Sequence, residues 1–125
     1  MKKLSLLGGC VAILLSINVS AIQEVSSDSA LTNIISSNAN VVVDFYGTTC
    51  PPCRALAPHL DRFATKYPNI KFVKIDAWKV TNLGQKYGFS GVPAVFFFKN
   101  GSVMGQVVGN KPSEIEAKIK QIFGC

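Results

Sequence analysis

The chain has 125 residues, with 13 Lys and Arg against 7 Asp and Glu and a formal charge of +6. Hydrophobic residues make up 48% and charged residues 16%, a globular composition that excludes a disordered or collagen-like chain. The length excludes a large multidomain enzyme and favours one domain, and four Cys are too few for a disulfide-dense framework.

Met1-Lys2-Lys3 is a short positive start, Leu4 to Ile17 is apolar apart from serines and glycines, and Asn18 to Ala21 are small residues. This three-part pattern predicts a secretory signal peptide over residues 1–21, cleaved after Ala21. The apolar stretch is shorter than the ~20 residues a membrane span needs, so no stable membrane association is expected after cleavage. Leu7-Gly8-Gly9-Cys10 has the form of a lipoprotein box, but the segment between Lys3 and Gly8 is too short an apolar core. Export places the domain, residues 22–125, in the periplasm of a bacterium, or in the secretory pathway or outside the cell otherwise. Cleavage removes two lysines and no acid, so the charge falls from +6 to +4. The remaining lysines are scattered, without a run or interleaved aromatics, and read as a solvated surface rather than a nucleic-acid interface.

Residues 22–28 are polar and suit a short strand or an arm. Leu31, Ile34 and Ile35 have helical spacing, with Asp28 or Ser29 as cap. Val41 to Tyr46 is a β-branched and aromatic run, a strand buried on both faces as in a parallel sheet. Leu56, Leu60, Phe63 and Tyr67 form one helix face, with Pro51 at the first position and Pro58 inside as a kink. Ile70 to Ile75 reads as the next strand, and Val80, Leu83 and Tyr87 as a short helix closed by Gly88. Ala94 to Phe98 is a further strand, and Asn100-Gly101 is a hairpin turn returning through Ser102 to Val108. Ser113 with Glu116 suggests a capping box ahead of a last helix carrying Ile115, Ile119, Ile122 and Phe123. Helices between strands imply parallel crossovers, with the hairpin adding an antiparallel edge.

Cys50-Pro51-Pro52-Cys53 stands at the start of a helix, directly after a buried strand. There the free amides and the helix dipole favour a thiolate at Cys50. Cys50, in the more exposed position, attacks a substrate disulfide, and Cys53 resolves the mixed disulfide. Half a zinc site is the rival, but the remaining candidates, His59 and Cys125, are unpaired and distant in sequence. A purely structural disulfide is disfavoured because so small a ring closes little chain. Asp44 is odd inside an apolar strand, because burying an unpaired carboxylate is costly.

These features together resemble the thioredoxin family over about residues 28–123. The matches are Val43-Asp44-Phe45-Tyr46, Cys50 and Cys53, Pro58, Lys74-Ile75-Asp76, Gly91-Val92-Pro93, Phe98-Lys99-Asn100-Gly101 and Gly109. The resemblance implies a thioredoxin-like α/β fold, a central mixed sheet of four or five strands flanked by four helices. It implies a thiol-disulfide oxidoreductase acting on protein disulfides and dithiols as a monomer, supplied by an upstream electron donor. The Cys50–Cys53 pair is then the redox group itself, with no metal or organic cofactor. Asp44 matches the family's buried acid, taking the proton of Cys53; Pro93 matches its cis-proline; Gly91, Val92 and Gly109 match its substrate groove. The chain departs from the family in Thr48-Thr49, where an aromatic usually precedes the first Cys, and in Pro51-Pro52. Trp78 is placed by preference in a packing role, the alternative being a seat near the active-site face that partly replaces that aromatic; His59 is placed on the surface, and Cys125 as a spare thiol. Pro51 and Pro52 lack N–H groups, so the Cys50 thiolate loses two donors, which favours a reductant. Alternatives are an exported disulfide-donating oxidase and a peptide-binding module without turnover.

Overall fold

The computed structural model describes residues 21–124. The segment expected to be a signal peptide, residues 1–21, lies outside them apart from Ala21, and so does Cys125. The described elements are β1 (Gln23–Val25), α1 (Asp28–Ser37), β2 (Asn40–Tyr46), α2 (Pro51–Lys66), β3 (Lys71–Asp76), α3 (Leu83–Tyr87), β4 (Ala94–Lys99), β5 (Ser102–Val108) and α4 (Pro112–Phe123). The strands form one sheet in the order β1-β3-β2-β4-β5.

β3 runs parallel to both β1 and β2, as the crossover rule requires. β4 does not follow that rule: it lies antiparallel to β2, with Ala94 opposite Phe45. The connection, residues 77–93, holds only the five-residue α3 instead of a long crossover helix, and the chain re-enters the sheet from the end where β3 finished. This reversal brings residues 91–93 to the end of β2 from which Cys50 follows.

Side-chain alternation along β2 divides the core. Val41, Val43 and Phe45 pack with Leu31 and Ile35 of α1, Leu83 of α3, and Ala94, Phe96 and Phe98 of β4. Val42 packs on the other face with Leu56, Leu60 and Phe63 of α2 and Ile115 and Ile119 of α4. Each buried Val, Leu, Ile or Phe side chain among these contributes roughly 1.5–3 kcal/mol. Asp44 shares the parity of Val42 and so faces α2.

Two end signals differ from expectation. Ser27, not Asp28 or Ser29, caps α1 by accepting the Ala30 N–H at 3.1 Å, which frees Asp28 for Lys86 and Tyr87. α4 has no side-chain cap: Pro112 starts the helix one residue before Ser113. Glu116 instead accepts from Lys66 and Tyr67, each at 2.6 Å, tying α4 to the end of α2. The Asn100-Gly101 hairpin forms as expected, with φ of 51° and 84°, the two positive values of a type I′ turn.

Candidate active site

Cys50 is the N-cap of α2, in extended backbone at φ −104° and ψ 106°. Pro51 and Pro52 fill the next two positions and offer no N–H. The next amide, Cys53 N–H, donates to Cys50 Sγ at 3.2 Å. The Arg54 N–H reaches the Cys50 carbonyl at 3.1 Å and begins the helical ladder. Cys50 and Cys53 are joined as a disulfide, with Cα atoms 5.2 Å apart.

The pair is covered evenly, Cys50 at 4% exposure and Cys53 at 5%, so Cys50 is not the more exposed of the two. Its sulfur lies 3.9 Å from the Val92 carbonyl oxygen. The Val92–Pro93 peptide bond is cis. The Gly109 N–H donates to the Pro93 carbonyl at 2.8 Å, from a φ of 106° that suits glycine. Val92 precedes β4 and lies outside the sheet register. Cys50, Val92, Pro93 and Gly109 are thus brought together, with Gly91 exposed beside them.

Asp44 sits behind the disulfide at 7% exposure, and its Oδ1 has no hydrogen-bond partner. It lines a cleft of about 140 Å³ with Cys53, Tyr46, Gly47, Thr48, Arg54, Ala57 and Lys74. Burial raises its pKa from 3.8 to about 7, against the pull of Lys74 and with a smaller push from Glu24. A wider cleft of about 420 Å³, at Asn38, Ala64, Asn69 and Phe72, lies at the opposite end of β2 and β3, away from the sulfurs. A carboxyl that titrates near neutrality beside Cys53 is suited to accept a thiol proton.

A second buried carboxylate, Asp76 at 6% exposure, ends β3. Its Oδ2 accepts a short hydrogen bond from the Thr48 hydroxyl, and its Oδ1 accepts the Trp78 N–H at 2.9 Å. It ties the segment leading into Cys50 to the turn after β3. Sequence reasoning assigned Asp76 no role; the signal was a second Asp at a strand end beside the motif. Trp78 is not packed in the core but is 53% exposed, with its backbone N–H held by that bond. Its ring lies over Gly47, where a Cβ would overlap it. His59 stays apart from the sulfurs and lies 3.1 Å from Arg62 through Nδ1. Among the described residues, no three His, Cys, Asp or Glu side chains gather into a metal-binding group.

The thioredoxin family profile matches residues 21–121. Thioredoxin-1 of Schizosaccharomyces pombe is 34% identical over 79% of this chain and 96% of its own length. Thioredoxin-1 of Saccharomyces cerevisiae is 37% identical over 73% of this chain and 88% of its own. The oxidised crystal structure of mitochondrial thioredoxin 3 from Saccharomyces cerevisiae superposes with a TM-score of 0.77 at 29% identity, covering 83% of this chain and all of that one. Reduced Schistosoma mansoni thioredoxin gives 0.74 at 36% identity, over 80% of this chain and 96% of that one.

Proposed function

The chain belongs to the thioredoxin family and is a thiol-disulfide oxidoreductase, and we propose that it works as a protein-disulfide reductase. The observation that carries the direction is the donor count at Cys50. Among the described residues, only the Cys53 N–H donates to its sulfur, and Pro51 and Pro52 have no N–H to offer. A thiolate with few donors leaves the reduced form less stabilised, and the dithiol gives up its electrons more readily.

In this reading Cys50 thiolate attacks one sulfur of a substrate disulfide, forming a mixed disulfide and releasing the other sulfur as a thiolate. Asp44 takes the proton of the Cys53 thiol, directly or through water in the cleft they share. The Cys53 thiolate then attacks Cys50 Sγ, closing the Cys50–Cys53 disulfide and freeing the second substrate thiolate. The substrate segment lies extended along Gly91, Val92 and Pro93 and past Gly109, pairing its backbone with Val92. The Cys pair is the redox group, so the cycle uses no metal or organic cofactor. A separate dithiol donor must return two electrons. The domain acts as a monomer.

We further propose export. The positive start, apolar run and small residues before Ile22 support it. Sequencing the N-terminus of the protein made in its own cells tests this: an intact Met1 overturns it. The reductase reading is tested by insulin reduction with dithiothreitol and by equilibration with glutathione. Acceleration of the first and a potential well below that of glutathione are expected. A protein that readily oxidises glutathione would be the disulfide-donating oxidase instead, and one that does neither would be a binder.

A further inference from the structure

We propose that Trp78 is the substrate-facing aromatic of this redox site and takes an apolar side chain flanking the attacked cysteine in an extended protein segment. The proposal rests on the oxidoreductase reading and names what that site grips. Trp78 is the chain's only Trp and is 53% exposed. Its Cδ2, Cε2 and Cζ2 atoms occupy the space a Cβ on Gly47 would need. Gly47 is not among the residues with positive φ, so the ring, not the backbone, requires glycine there. The backbone at Trp78 is also held in place. Its main-chain N–H donates to Asp76 Oδ1 at 2.9 Å, and Asp76 Oδ2 accepts from Thr48, two residues before Cys50.

The indole forms one side of a groove of about 190 Å³ with Gly91 and Val92, Leu83 and Phe89 also lining it. Val92 is shared between this groove and the disulfide, its carbonyl oxygen 3.9 Å from Cys50 Sγ. A protein disulfide reacts only when its sulfur meets Cys50, so the residues beside that cysteine must pass this groove. The lining is aliphatic and aromatic, with Asn82 and Ser90 as its polar side chains and no charged one. The volume suits one large apolar side chain rather than a folded element. Stacking on an indole is an efficient way to hold such a group, because Trp offers a large rigid surface.

The test compares the parent with Trp78→Ala, Trp78→Phe and Gly47→Ala in two reactions: steady-state reduction of insulin, and the reduced protein's rate with glutathione disulfide, which has no apolar flank. Trp78→Ala should raise KM for insulin about tenfold, leaving kcat and the glutathione disulfide rate within about twofold. Trp78→Phe should recover most of that loss. Gly47→Ala keeps the indole but displaces it, so KM should rise and the emission of the single Trp should shift. Unchanged insulin KM in Trp78→Ala overturns the proposal, as does an equal loss in both reactions, which would mean that Trp78 only steadies the Cys50 segment. A parent that reduces neither disulfide overturns the oxidoreductase reading itself, an outcome distinct from the others.

Discussion

Asp44 and Asp76 lie on adjacent strands at one end of the sheet, at 7% and 6% exposure, one sharing a cleft with Cys53 and one bonded to Thr48 ahead of Cys50. Asp76 has a hydrogen-bond donor on each oxygen, Thr48 and the Trp78 N–H. Asp44 leaves Oδ1 without a partner and holds its proton up to about 7. Equal burial thus gives two kinds of group. A carboxylate whose oxygens are both bonded is a tie that fixes loop geometry. One that is poorly solvated and poorly bonded is unstable as an anion, and so is a proton acceptor.

The sharpest way to break this comparison is to delete each carboxylate and look for opposite signs. Unfolded Asp44 releases its proton near 3.8, while the folded oxidised protein keeps it until about 7. Between those values the unfolded chain binds fewer protons, so stability falls as pH rises and stays low above about 7. The shift corresponds to about 4 kcal/mol at pH 8, as an upper figure. Asp44→Ala should therefore raise stability against urea by about 2–4 kcal/mol at pH 8 and by little at pH 4. It should also slow release of the mixed disulfide by about 10²-fold while leaving its formation by Cys50 nearly intact. Rapid quenching and mass analysis at successive times separate the two steps. Destabilisation at pH 8, or an unchanged release rate, would end the distinction.

Asp76→Ala should do the reverse. It removes two hydrogen bonds and leaves the Thr48 hydroxyl and the Trp78 N–H without their acceptor, a loss of about 2–3 kcal/mol. The release step should keep the parent's pH dependence, because Asp44 is untouched. A stabilised Asp76→Ala protein would show that its bonds are not what keeps this carboxylate buried.

Much of this was legible in the residues. The apolar runs at Val41–Tyr46 and Ala94–Phe98 marked buried strands, and Cys50-Pro51-Pro52-Cys53 marked the site. The direction of β4 was not legible, because a period of hydrophobicity carries no sign, and a connection of residues 77–93 is long enough for either direction. The α4 cap was not legible, because Ser113 and Glu116 satisfy a spacing that Pro112 pre-empts. Which of its two seats Trp78 takes was not legible, because a large apolar indole favours burial, and only the missing Cβ of Gly47 and the backbone bond to Asp76 reveal its place. Asp44 announced itself as a misfit in an apolar strand, whereas Asp76, at a strand end where acids are common, did not.

The same counting of donors sharpens the view of Cys50. An N-cap side chain reaches the amides of the second and third helical residues. The third is Cys53, which bonds the sulfur; the second is Pro52, which cannot. The expectation that both prolines cost the thiolate a donor is therefore refined: Pro52→Gly supplies the missing donor, and Pro51→Gly serves as its control. One added charge-assisted bond of about 1.5 kcal/mol raises the reduction potential by roughly 30 mV. Equilibration with glutathione reads this directly. A larger rise in Pro51→Gly than in Pro52→Gly would mean that backbone freedom, not the donor, sets the potential.

The smallest expected effect lies in the charges around Asp44. Lys74 lowers the affinity of Asp44 for its proton and Glu24 raises it by less. Glu24 lies 4.0 Å from Lys74 and accepts from the Tyr46 hydroxyl at 2.8 and 2.9 Å, so the three form one cluster at the cleft. Lys74→Gln should move the pH inflection of mixed-disulfide release upward, and Glu24→Gln should move it downward by less. Glu24→Gln keeps an oxygen for Tyr46, so the cluster retains its shape. Both side chains are well exposed, at 40% and 47%, and solvent screens them, so each shift should stay within about one pH unit and shrink in 0.5 M salt. Burial acts on Asp44 from every direction and is not screened. If neither substitution moves the inflection at low salt, burial alone holds the proton, and the contrast with Asp76 rests entirely on the empty side of Oδ1.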